Sequence, residues 1–230
     1  MGILRACIKG KAQSDIISAF IIIIIVLTLV GTVYTWGLPL IQKRQDTTKA
    51  DRLYSYFSID NPNSITRKIE YIANNGGEET FSIDMDGVWF LHTCPVGEGD
   101  NCLDATEANN SLDFITFSKV SNIGVNVGWV PLSGPGCPPS VGDIGVDKPS
   151  VVCARADSLQ DGFNLTYRVW FRELSESADK GYKINLVKRE GGPLSSTGRS
   201  VRISRRGLHT CPESECGKTL VITEIDILLE

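Results

Sequence analysis

The sequence predicts an α+β chain: a long N-terminal hydrophobic helix followed by an antiparallel β-sandwich domain stapled by disulfides. Three observations carry this. From Ile16 to Ile41 the chain has no charged residue. Beyond it, strand-length runs rich in β-branched and aromatic residues alternate with Gly- and Pro-containing turns. Six of the seven cysteines, Cys94, Cys102, Cys137, Cys153, Cys211 and Cys216, lie on the far side of the apolar run, with only Cys7 before it.

The apolar run is the first element. As a helix it spans roughly 39 Å, against a hydrocarbon core of about 30 Å. The isoleucines from Ile21 to Ile25 are poor helix formers in water. In lipid a lone segment satisfies its backbone only as a helix, so that preference is overruled. Tyr34 and Trp36 suit the headgroup belt. Pro39 should kink the helix or end its first segment, because it lacks an amide hydrogen. The polar stretch 42–57, with Leu53, Tyr54 and Phe57 as a short apolar face, predicts a second helical piece rising from the membrane. That piece serves either as a stalk or in lateral packing of subunits.

About 190 residues remain, enough for one sizeable domain. The net charge of −4 gives no global reason to expect nucleic acid as a partner. With 22 Gly, 10 Pro and only 2 Met, the composition suits a loop-rich β domain. After Asn61-Pro62-Asn63, Ser64 should cap a short helix with Ile65, Ile69 and Ile72 on one face, closed by Gly76-Gly77. Phe81–Met85 and Val88–Leu91 flank Asp86-Gly87, a two-residue hairpin signal. Further strands are expected over Leu112–Val120, Ile123–Val130, Ser150–Arg155, Asn164–Phe171, Lys183–Lys188, Val201–Ser204 and Leu220–Leu229. The last should be buried, with a register break near Thr223. About nine strands at this spacing suggest a sandwich.

Even cysteine numbers beyond the span read as a disulfide set outside the cytosol. Proximity suggests Cys94–Cys102, Cys137–Cys153 and Cys211–Cys216; a Cys94–Cys211 cross-pairing is the main rival. The pentapeptide Leu-His-Thr-Cys-Pro occurs twice, at Leu91–Pro95 and Leu208–Pro212, and holds both histidines. Its sharper reading is a zinc site of His92, Cys94, His209 and Cys211. Its plainer reading, which an oxidising exterior favours, is two disulfide loops with no metal or cofactor. Asn109 and Asn164 head glycosylation sequons. Lys188, Arg189, Arg199, Arg202, Arg205 and Arg206 form a basic stretch, read as a charged edge strand or as a patch for an acidic partner. No phosphate loop, serine elbow or paired carboxylates appear, so an enzyme is not expected.

The start, Met1 to Gln13, carries Arg5, Lys9 and Lys11 and no acid, which favours a cytoplasmic N-terminus. No small-residue cleavage site follows the apolar run, and no apolar stretch precedes Cys7 as a lipoprotein signal would need. The stretch Lys9-Gly10-Lys11-Ala12-Gln13-Ser14-Asp15-Ile16-Ile17 resembles the class III, prepilin-type signal of archaeal type IV pilins and archaellins. The likeness covers about the first 55 residues. Bacterial pilins carry Glu at the fifth mature position, where this chain has Ile17, so the resemblance is to the archaeal members.

The resemblance implies a leader at 1–12, cut by a membrane prepilin peptidase between Ala12 and Gln13, with a cut after Gly10 as second choice. It implies an assembly helix and stalk at 13–57, in which Ile16, Ile17, Phe20, Ile24, Leu27, Val30, Tyr34 and Pro39 line the contacts, and an external domain at 58–230. The chain would enter the membrane, then join copies of itself in a helical surface filament through the pilus assembly machinery, for adhesion, attachment or motility. The alternative with the same topology is an uncut, non-polymerising membrane anchor for a cell-envelope β-sandwich binding protein.

Overall fold

The computed structural model describes residues 6–93, 109–134 and 136–230, with side chains from residue 17 on. The chain divides into two compact units, residues 1–45 and 46–230.

The first unit is helical. Helix α1, Ala6–Thr32, runs into a π-helical turn, Val33–Gly37, and then into α2, Leu38–Phe57, whose last turns belong to the second unit. Pro39 therefore does not end the helix. Its ring crowds the carbonyl four residues earlier, at Thr35, and that residue lies in the π turn, where the extra residue per turn takes up the misfit. The threonine hydroxyls are satisfied within the helix: Thr28 donates to the Ile24 carbonyl at 2.7 Å, and Thr32 to that of Thr28 at 2.8 Å. Their neighbours in the run are apolar side chains, so these hydroxyls bond the helix's own carbonyls.

The second unit is mostly β. Helix α3, Ile65–Asn75, begins at Ser64, whose Oγ accepts from the Arg67 amide at 3.2 Å. It ends at Gly76, which adopts φ 76° and donates its amide to the Ile72 carbonyl. Ile65, Ile69 and Ile72 are fully buried, as their spacing predicts. The strands are β1 Glu78–Ser82, β2 Val88–His92, β3 Ser111–Ser118, β4 Val130–Ser133, β5 Gly142–Asp143, β6 Ser150–Leu159 and β7 Gly162–Phe171. They continue with β8 Glu173–Ser177, β9 Lys180–Lys188, β10 Ser195–Ser196, β11 Ser200–Cys211 and β12 Thr219–Leu229, with the short helix α4, Glu213–Cys216, between the last two. They form two six-stranded sheets, β1-β11-β12-β9-β8-β5 and β10-β2-β3-β7-β6-β4.

Three expectations are corrected. β1 and β2 do not form a hairpin; each joins a different sheet. Neither Asp86 nor Gly87 has the positive φ that a two-residue hairpin turn needs. Gly87 is instead required by the Phe114 ring, which a Cβ there would meet at 2.3 Å. Residues 123–130 are not a strand: Asn126 and Gly128 adopt φ 56° and 85°, and only Val125 bridges to Ala156. The first sheet is mixed rather than antiparallel, because β12 and β9 pair in parallel from Thr219↔Lys180 to Ile227↔Lys188. The break expected near Thr223 is present: burial along β12 slips by one residue between Leu220 and Thr223, and its ladder with β11 shifts at Glu224 and Ile225, opposite the bulge between Arg205 and Gly207.

One apolar cluster takes residues from both sheets and from α2 and α3: Leu53 and Phe57 of α2, Ile69 and Ile72 of α3, Val201, Ile225 and Ile184 of one sheet, and Trp89, Phe114 and Tyr167 of the other. Asn110, buried and at φ 55°, ties the sheets together. Its Nδ2 donates to the carbonyls of Phe171 and Ile184, both at 2.7 Å, and its Oδ1 accepts from the Leu186 amide at 2.7 Å.

Candidate functional site

The first candidate is the apolar helix. Every side chain from Ile17 to Ile41 is exposed except that Gly37 is half-buried. The continuous helical stretch Ile17–Phe57 is long and apolar enough to cross a membrane, and 0% of its apolar window is buried inside the chain's own fold. Ile17, Phe20, Ile24, Leu27, Val30 and Tyr34 are each roughly half to two-thirds exposed. The side chain of Ile16 lies before the described ones. The backbone is helical across Gly10, Lys11, Ala12 and Gln13, so residues 6–12 of the expected leader share one helix with the apolar run. At the other end of the stretch Ala50, Leu53 and Phe57 are buried. Phe57 stacks on Tyr167 and Phe114 at centroid distances of 5.3 and 6.5 Å.

The two pentapeptide copies come apart. His92 lies on β2 and His209 on β11, in different sheets. Cys211 is bonded to Cys216, so it offers no thiolate. This removes the four-ligand zinc reading as proposed, and among the described residues no group of three or more His, Cys, Asp or Glu is placed to hold a metal. Cys94 lies outside the described residues, as does Cys102. The second observed bridge is Cys137–Cys153.

The basic stretch is not an edge. Val201–Ser204 sits between β1 and β12, and most of the charges are met by acids. Arg189 reaches Glu78 at 3.1 Å, Arg199 reaches Asp86 at 2.5 Å, Arg202 reaches Glu230 at 2.9 Å and Arg206 reaches Asp226 at 2.7 Å. Cations spent on these pairs have less to offer an acidic partner.

The sequons sit in folded surroundings. Asn164 is half-buried within β7, paired with Phe117 on one side and Asp157 on the other, and the Thr166 of its sequon is buried. Asn109 stands half-buried in the turn before β3.

Two polar clusters have no signature in the sequence. On the second sheet Arg168 donates through Nε and Nη2 to the two oxygens of buried Asp113, at 2.6 and 2.5 Å. Its guanidinium carbon lies 4.5 Å from the Trp129 ring centre and 4.8 Å from that of Trp170, and His92 Nε2 stands 3.3 Å from Asp113. Beside it pack Val151 and the Cys137–Cys153 bridge. Elsewhere a cleft of ≈ 260 Å³ opens between Tyr54, Ser58, Gly134, Lys148 and Arg172. Asp147 and the Lys148 carbonyl hold Arg172 there, at 3.1 and 2.9 Å. The Asp147 carboxyl is held below its ordinary range, first by the Asp143 amide and then by Arg172. Ser150 at its base bonds buried Glu70. Asp113 with Arg168, Asp147 with Arg172 and Glu70 with Ser150 are each partnered within the fold, which braces the domain.

Comparison of the chain with protein-family models, with curated proteins and with solved structures found no match.

Proposed function

We propose that this chain is a pilin-like subunit of an archaeal type IV pilus-like surface filament, with its helix first in the membrane and then in the filament core. The observation that supports this most is the continuous helix Ile17–Phe57, apolar and unburied at one end and built into a domain core at the other. An amphipathic stripe would suit one neighbour; exposure on all sides suits a helix that meets neighbours all round. The basic residues ahead of the span and the disulfides beyond it support an external domain. We read the two sheets as the layers of a sandwich that α2 and α3 help to fill.

The test is electron microscopy of the sheared surface fraction from cells producing the chain. Filaments should contain it, and Ile24→Lys should abolish them while the chain still folds. A surface fraction without filaments, with all the chain in the membrane, would favour the anchored alternative. One observation speaks for that alternative: the helix runs unbroken through Gly10–Gln13, so a peptidase has to unwind it to cut.

A further inference from the structure

We propose that Asn164 carries an N-linked glycan whose first sugar lies on the exposed ring of Phe117. Along β7, Phe163, Leu165, Tyr167 and Val169 belong to or pack on the inner apolar cluster, so the alternation of a strand turns Asn164 and Thr166 outward. Along β3, Leu112 and Phe114 point inward in the same way, which puts Ile115 and Phe117 on the outer face. The register then sets Phe117 directly opposite Asn164, and Ile115 opposite Thr166. The two residues that mark the sequon thus stand against two outward apolar side chains of β3.

Each member of the pair is out of place alone. Asn is disfavoured inside strands, and the Asn164 side chain makes no hydrogen bond among the described residues. Phe117 is 51% exposed on a sheet face, and Val88, paired with Ile115 from β2, extends the apolar ground beside it. The Phe117 ring reaches across β7 over Gly162, where a Cβ would meet it at 2.7 Å. Directly opposite Cβ atoms in such a pair are about 4.5–5.5 Å apart, a gap that a pyranose attached to the amide covers. One face of a pyranose is lined with C–H bonds and packs on an aromatic ring, while its hydroxyls stay in water. The sequon at the centre of the patch therefore names its occupant.

The attachment is a glycosyl transfer from a lipid-linked oligosaccharide, catalysed by a membrane transferase. The Asn164 Nδ2 bonds to the anomeric carbon, and the bond from that carbon to the phosphate oxygen breaks. The lipid phosphate leaves, and Nδ2 gives up one proton. The proposal needs the domain to be external, and holds whether the helix polymerises or only anchors.

The experiment is glycopeptide mass spectrometry of the full chain from its native membrane or surface fraction, with thermal melts of variants made in the same cells. The tryptic peptide 156–168 should carry the mass of one or more sugar residues, and Thr166→Val should remove it. Phe117→Ala should lower the melting temperature of the glycosylated chain by about 2–4 °C more than it lowers that of Asn164→Gln, in which the ring has no sugar to seat. An unmodified Asn164 would overturn the proposal. So would a Phe117→Ala loss that is the same with and without the glycan.

Discussion

Phe57 closes α2 by stacking on Tyr167 of β7, with centroids 5.3 Å apart and ring planes 27° from parallel. The same ring touches Trp89 and Phe114, so one side chain joins the long helix to the aromatic centre of the second sheet. Phe57→Ala should cost about 3–5 kcal/mol, the range for emptying a large aromatic site. Denaturant unfolding followed by tryptophan fluorescence measures it. A loss under about 1 kcal/mol would mean that α2 is not part of the domain core.

Asn110 should be equally sensitive for a different reason. Removing its amide leaves two carbonyls and the Leu186 amide buried without it, each worth about 1–3 kcal/mol. Its φ of 55° adds a backbone preference that glycine meets and alanine does not. Asn110→Ala should therefore be worse than Asn110→Gly by about 1 kcal/mol, read from paired thermal melts. Equal losses would show that the backbone conformation costs nothing here.

The Asp113–Arg168 pair predicts strong non-additivity. The two side chains are only 4% and 12% exposed. Arg168→Met alone strands a buried carboxylate and should cost about 3–5 kcal/mol. Asp113→Leu together with Arg168→Met should recover much of that, because apolar pairs often replace buried ion pairs without loss. A double-mutant cycle on urea midpoints checks it, and additive losses would mean that the pair is not coupled.

Asp84 braces α2 to the loop after β1, accepting from the Tyr56 hydroxyl at 2.7 Å and from Arg52 at 3.0 Å. The Tyr56 bond and then Arg52 hold the Asp84 carboxyl below its ordinary range. Burial, and then Asp84, hold the Tyr56 hydroxyl above its own. The carboxylate thus contributes stability above about pH 4, lost as pH falls through its lower folded value. The phenol contributes below about pH 10, lost as pH rises through its higher folded value. Both groups of the Asp84–Arg52 pair are exposed, so the whole brace is worth no more than about 1 kcal/mol. The stability gap between wild type and Asp84→Asn should be flat at neutral pH and close in acid. A gap that widens in acid would contradict this.

What the sequence makes legible is local. Ser64, the Ile65–Ile69–Ile72 face and Gly76 specify α3 within thirteen consecutive residues, and the structure follows them. The apolar helix needs only its own composition. The Asp86-Gly87 signal fails because Phe114, far along the chain, takes the space that makes Gly87 necessary. The parallel β12–β9 pairing is equally silent: Ile225 and Ile227 alternate in the same way whichever direction their neighbour runs. Arg168 looks like any polar strand residue until β3 supplies Asp113. Long-range registers decide these features, and no short window contains them.

In the proposed filament, leader removal frees the apolar helix to assemble with its copies. The most direct measurement is the N-terminal sequence and intact mass of the chain from its native surface fraction. The expected result is a mature chain that begins at Gln13, or at Lys11 after the second cleavage choice, and that lacks Cys7. A chain from that fraction still beginning at Met1 or Gly2 would contradict it and leave a permanent anchor.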